Sequence, residues 1–158
     1  MPVLFDSSVY ITALRAGSDS AIVLERWVKE SPLWLSSVVL EELYAGAKPD
    51  DRRIVEKLER DFERANRVLV PSLSDWTFAG RILANVARKH GYEKIGKARL
   101  TNDALISTSA ARSGITVITT NSRDFALLAE FCQLQWQIRA LTCFRTQQPG
   151  PNTLRRGA

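Results

Sequence analysis

Short apolar runs alternate with amphipathic stretches along the chain. Val3-Leu4-Phe5 is the first run, and it stops at Asp6-Ser7-Ser8, a cluster of small oxygen-bearing side chains that favours helix entry. The pattern predicts a buried strand followed by a helix from about Ser8 to Arg15. Gly17-Ser18-Asp19 restarts the chain, and Ile22, Val23 and Trp27 mark a second amphipathic helix ending near Glu30, before Pro32. Leu33-Trp34-Leu35 reads as another short strand. Ser36-Ser37 caps a helix carrying Val39, Leu40, Leu43, Tyr44 and Ala47, which stops before Pro49. From Asp50 to Arg64, Ile54, Val55, Leu58 and Phe62 fall in one stripe at helical spacing, with charges of both signs on the other faces.

The second half repeats the alternation. Val68-Leu69-Val70 is a strand closed by Pro71, and Ser74 is the expected N-cap of a long helix from Asp75 to about His90. Beyond the loop with Gly91 and Gly96, Thr101, Asn102 and Asp103 are all possible caps for a helix built on Leu105, Ile106, Ser109 and Ala110. Gly114 ends that helix. Ile115 to Thr119 is the clearest strand, a short helix follows Asn121-Ser122-Arg123-Asp124, and a last strand falls around Leu134 to Ile138. Short apolar strands alternating with helices predict an α/β three-layer domain with a mostly parallel central sheet. Such sheets form their sites at the carboxyl ends of the strands.

Length permits one domain with a real core, since the chain has 158 residues. Residues 1–144 are assigned to it and 145–158 to a basic tail, expected to be disordered because Pro149, Gly150, Pro151 and Asn152 bring nothing to pack. The net charge is +5, of which Arg145, Arg155 and Arg156 in that acid-free tail supply three, leaving +2 on the body. A nucleic-acid surface on the body therefore needs local clustering, and Arg88, Lys89, Lys94, Lys97 and Arg99 are opposed only by Glu93. No apolar run approaches the roughly 18 residues that span a bilayer, and no basic segment opens the chain, so a cytoplasmic protein is expected. Cys132 and Cys143 lack metal-ligand spacing with His90, the single histidine, and are read as reduced thiols. Gly-rich nucleotide loops are missing, and a Ser/His/Asp triad would have to use His90 at a basic helix end.

The acids stand where chemistry would sit. Asp6 directly follows the first strand, and Asp124 follows the Ile115–Thr119 strand by a turn. Singly, each has an ordinary use as a cap or turn residue. Glu41 and Glu42 separate at about 100° per residue: Glu42 borders the apolar face centred near Leu43 and Ala47, while Glu41 points away from it. Gly46, one turn on, leaves room beside Glu42. Asp103 sits at the start of an apolar helix, where an acid also suits the helix dipole. Together these acids present a problem of charge, since two carboxylates about 4 Å apart repel by roughly 4 kcal/mol at an effective dielectric of 20. Protonation or a cation relieves it, and oxygen-only ligation suits magnesium or manganese.

Four segments in order carry a resemblance: Leu4-Phe5-Asp6-Ser7-Ser8-Val9-Tyr10-Ile11, Ser37 to Gly46 with Glu42-Leu43-Tyr44-Ala45-Gly46, Asn102-Asp103-Ala104-Leu105-Ile106, and Val117 to Phe125. The chain resembles PIN domains, specifically the VapC-type toxins of bacterial toxin–antitoxin modules. The resemblance implies a PIN-like three-layer α/β/α sandwich and an endoribonuclease using magnesium or manganese, neutralised by a small antitoxin and often homodimeric. It implies Asp6, Glu42 and Asp103 as core metal ligands and Asp124 as the fourth acid, with Ser7, Thr119 and Asn121 in support. Lys94, Lys97 and Arg99 are the expected RNA-backbone contacts. Ser8 stands where the family often has Asn, and Thr101-Asn102 departs from the commoner residues before the third acid. Two alternatives keep the fold: an RNA-processing nuclease outside a toxin module, and a catalytically idle scaffold binding RNA or protein.

Overall fold

A computed structural model of the protein describes residues 1–16, 32–96 and 100–138. The expected helix around Ile22, together with Lys97, Arg99, Cys143 and the basic tail with its boundary at 144/145, lies outside the described residues. In chain order the elements are β1 (Val3–Phe5), α1 (Ser7–Ala16), β2 (Leu33–Ser36), α2 (Ser37–Gly46), α3 (Arg52–Arg64) and β3 (Val68–Leu69). They continue with α4 (Leu73–His90), a 3-10 turn (Tyr92–Lys94), α5 (Leu100–Arg112), β4 (Thr116–Thr119), α6 (Ser122–Ala129) and β5 (Trp136–Ile138).

The five strands form one sheet in the order β3-β2-β1-β4-β5, and every pairing is parallel. Leu4, Phe5, Leu33, Leu35 and Val117 have no exposed surface. Strands buried on both faces read as near-continuous apolar runs rather than alternating ones, as in β1 and in Leu33 to Leu35 of β2, while β4 sets Val117 and Ile118 between two buried threonines. The chain steps from β1 outward to β3, then crosses back to β4 and β5 on the other side of β1. Because parallel crossovers are right-handed almost without exception, stepping outward and then back sends helices to opposite faces of the sheet, the α/β/α layering. The reversal also opens a crevice at the carboxyl ends of β1 and β4, where strand order changes direction.

Two helix ends aim the strands. Gly114, at φ +64°, closes α5 with two bonds, Ile115 N–H to the Ala110 carbonyl at 2.9 Å and Gly114 N–H to that of Ala111 at 3.2 Å. Asn66, at φ 52°, closes α3 similarly through Arg67 to Phe62 and Asn66 to Glu63, both at 3.0 Å. Each is a left-handed cap that turns the chain directly into the next strand.

Several start signals differ from the sequence expectations. The N-cap of α4 is Ser72, not Ser74: the Ser72 hydroxyl accepts from Asp75 N–H, and Asp75 accepts from Ser72 N–H, a reciprocal capping box. Helix α5 is already formed at Leu100, so Thr101, Asn102 and Asp103 lie within its first turn and none is its cap. Asp124 likewise lies inside α6 rather than before it. Among the described residues no helix is long and apolar enough to cross a membrane.

Candidate metal centre

Asp6 is the first residue after β1, and its N–H donates to the Ile118 carbonyl of β4 at 2.9 Å, which pins it at the crevice. Its side chain is buried, at 3% exposure. Oδ2 accepts from the Ser8 hydroxyl at 2.7 Å and from the Thr119 hydroxyl at 3.0 Å. Each hydroxyl is also an acceptor, Ser8 Oγ from Thr120 N–H at 3.1 Å and Thr119 Oγ1 from Asn121 N–H at 2.9 Å. A hydroxyl has one proton to give, so both are committed to Asp6 and the loop after β4 is tied to α1. Oδ1 of Asp6 is buried and has no hydrogen-bond partner among the described residues.

Glu42 repeats this arrangement on α2. Oε1 accepts from the Asn102 amide of α5 at 3.0 Å, and Oε2 is buried with no partner. Glu41 is exposed, as the helical-face reasoning requires. A Cβ built at Gly46 would meet nothing within 4 Å, so the space beside Glu42 is open. Asp103 follows Asn102 in the first turn of α5 and is buried, at 5% exposure. Asp124, in the first turn of α6, accepts at Oδ2 from the Asn121 amide at 2.8 Å. Asn121 thus occupies the N-cap position of α6 while its side chain holds an acid instead of capping.

The partners of these carboxylates separate them from structural acids elsewhere. Asp75 is bound by Arg112, Asp61 by Lys57 and Glu130 by Lys89, each an ion pair. Among the described residues, the hydrogen bonds to Asp6, Glu42 and Asp124 come from hydroxyls and amides, neutral donors that orient a carboxylate without cancelling its charge.

A hard divalent cation fits this donor set, which is all oxygen and presents two buried, unpartnered carboxylate atoms. Among the described residues, however, no three acidic, histidine or cysteine side chains are gathered into a group able to hold an ion. Magnesium tolerates that arrangement, because it keeps several waters and takes one or two carboxylates rather than a closed protein cage.

Ser8 and Asn102 were not among the supporting residues expected from sequence. Ser7, which was, is buried as the first residue of α1, but the hydroxyl that reaches Asp6 is that of Ser8. The only sequence signal for either residue was its departure from the commoner family residue at that position.

The family model of the PIN domain matches residues 3–130. The chain belongs to the PIN-domain family. PIN domains are a nuclease family. A comparison with curated proteins finds no match. Among solved structures, a chain of DNA-bound VapBC from Salmonella typhimurium is 23% identical with a TM-score of 0.62, over 87% of this PIN chain and 98% of that one. VapBC2 from Rickettsia felis, bound to a DNA fragment from its promoter, gives 20% identity and 0.56, over 89% and 100%. VapBC-1 from nontypeable Haemophilus influenzae gives 24% and 0.57, over 87% and 98%. At these identities the likeness establishes the PIN fold.

Proposed function

We propose that the chain is a metal-dependent endoribonuclease, the toxin of a VapC-type toxin–antitoxin module. Asp6, Glu42 and Asp103 would hold magnesium or manganese, directly or through the ion's waters, and Asp124 would hold a second ion or orient the hydrolytic water. The observation that carries the reading is the pair of buried oxygens, Asp6 Oδ1 and Glu42 Oε2, that no donor among the described residues meets. A buried carboxylate oxygen left unmatched is costly unless a cation completes it. When bound, the ion supplies an activated water at neutral pH and stabilises charge on the phosphodiester.

The chain's own residues do the positioning. Ser8 and Thr119 turn Asp6 so that Oδ1 faces away from their hydroxyls, and Asn121 does the same for Asp124. Lys94, half-buried in the turn that precedes α5, is assigned to the RNA backbone, as are Lys97 and Arg99. Such contacts position a substrate without reading its sequence. A single-stranded loop suits the site, since its bases and backbone are accessible. The VapBC complexes among the structural neighbours support a small antitoxin as partner; a cytoplasmic site of action is part of the proposal. Exposed Leu73 and Trp76, a helical turn apart on α4, support a homodimer.

The test is cleavage of a panel of structured RNAs with magnesium or manganese, and with excess chelator. The reading expects chelator-sensitive cleavage that Asp6→Asn and Asp103→Asn abolish without unfolding the chain. Cleavage that survives both substitutions, or persists in chelator, overturns it. The open arrangement of the acids favours one second reading, a PIN scaffold that binds RNA without cutting it; retained RNA binding with no cleavage by the unaltered protein would establish that instead.

A further inference from the structure

Asn102 joins the two helices bearing Glu42 and Asp103 by a side-chain hydrogen bond. It stands in the first turn of α5, beside Asp103 in sequence, and its Nδ2 donates to Glu42 Oε1 on α2 at 3.0 Å across 60 residues. One carboxylate oxygen is thereby occupied, and the other, Oε2, is left buried and unpartnered. A glutamate on an open helix flank has three side-chain torsions to lose before its oxygen is fixed in space. Gly46, one turn on, has no Cβ to add a contact on that flank. The amide supplies the restraint.

The choice of donor is informative. A lysine or arginine at this distance would compete with a cation for the same carboxylate. An amide is neutral and has no such effect. As a first-turn residue of α5, Asn102 could have capped a backbone group, but the helix already includes Leu100, and the side chain reaches across to α2 instead.

We infer that Asn102 is a positioning residue for the metal site, acting through Glu42: it fixes the rotamer that presents Oε2 and sets the spacing between the Glu42 and Asp103 helices. This rests on the proposed metal-dependent reading. Partners that orient metal-ligating side chains typically contribute about 10- to 100-fold in affinity.

The experiment measures manganese binding to the full chain without RNA, by calorimetry, for the unaltered protein, Asp6→Asn, Asn102→Ala, Glu42→Ala and the Asn102→Ala/Glu42→Ala double variant. Asn102 is only partly buried and alanine favours helix, so Asn102→Ala is expected to fold, which circular dichroism and thermal melting without metal check. Asn102→Gln retains the amide and should recover part of the affinity. The expected result is about tenfold weaker binding for Asn102→Ala, an effect absent in the Glu42→Ala background. Saturating manganese should restore the kcat of Asn102→Ala with the KM for RNA unmoved. Affinity within twofold of the unaltered protein, or a loss of equal size in both backgrounds, overturns the inference alone. If Asp6→Asn binds manganese as the unaltered protein does, the metal reading falls and takes the inference with it.

Discussion

Thr119, the last residue of β4, gives its hydroxyl proton to Oδ2 of Asp6, the residue after β1, at 3.0 Å and 113 positions away in sequence. The same oxygen of Thr119 accepts from Asn121 N–H at 2.9 Å, so one hydroxyl fixes both an acid and the loop that carries another. Thr119→Val keeps the shape and removes both bonds. It should lower stability by about 1–3 kcal/mol, the usual cost of stranding a buried polar partner, and depress cleavage. Thr119→Ser should keep both properties near their original values. Denaturant melts of the two variants decide it; a valine variant as stable as the threonine protein would contradict the assigned role.

Asp6→Asn tests the charge rather than the geometry. Asparagine can still accept from Ser8 and Thr119, so the fold should survive with its melting temperature in chelator unchanged or higher. Magnesium should raise the melting temperature of the unaltered protein and leave that of the variant where it was. Equal metal-induced shifts in the two proteins would remove Asp6 from the ion's ligands.

Glu41 and Glu42 are neighbours with opposite expected responses. Glu41 is exposed, while Glu42 is tied to Asn102 and has a buried oxygen, Oε2. Glu41→Gln should leave cleavage within about twofold, as expected for a surface change. Glu42→Gln should reduce it by two orders of magnitude or more, on the scale at which removing one electrostatic group from a site is felt. Rates of RNA cleavage at saturating magnesium separate the two, and the reverse ranking would refute the helix-face assignment.

Periodicity made the sheet and the acids legible, because both are local. Val3-Leu4-Phe5 is apolar without interruption, and Ile115 to Thr119 is wholly apolar or β-branched, as suits strands covered on both faces. Glu42 stood out from Glu41 through the 100° step of a helix. The partners of the acids were not legible. Local rules assign short polar side chains to helix caps, and Ser36 and Ser72 do cap α2 and α4. Ser8, Asn102 and Asn121 look the same in sequence but spend their donors on carboxylates. Ser8 meets Thr119 and Asn102 meets Glu42 only because the topology brings 111 and 60 residues together. No periodicity records such pairs.

Trp76 and Leu73 bear on the proposed homodimer. Trp76 is 54% exposed and Leu73 83%, both on α4 and three residues apart, so they share a face. Trp76→Lys should leave the melting temperature of the dilute protein close to its original value and shift the protein to monomer in sedimentation. A dimer that persists in Trp76→Lys would place the contact elsewhere.

Asp75 should make part of the stability depend on pH. Burial alone would raise its pKa, but the bonds from Arg112 and from the Ser72 backbone and hydroxyl outweigh burial, and the carboxyl titrates below its ordinary 3.8. A carboxyl depressed in the folded state adds stability that is full above its unfolded value and is lost as pH falls through the folded one. The contribution is therefore complete at neutral pH and disappears in acid, from about pH 4 downward. Arg112 meets both oxygens of Asp75 at 3.0 Å through Nε and Oδ2 at 2.9 Å through Nη2, tying the start of α4 to the end of α5. Arg112→Ala leaves the buried carboxylate to its cap alone. Since the Arg112 side chain is 45% exposed, solvent screens the pair, and the expected loss at pH 7 is about 1–3 kcal/mol rather than the roughly 3–5 of a fully buried pair. The difference between the two proteins should shrink as the pH is lowered toward 3. A gap that stays constant across that range would mean that Arg112 acts through packing and not through the charge on Asp75.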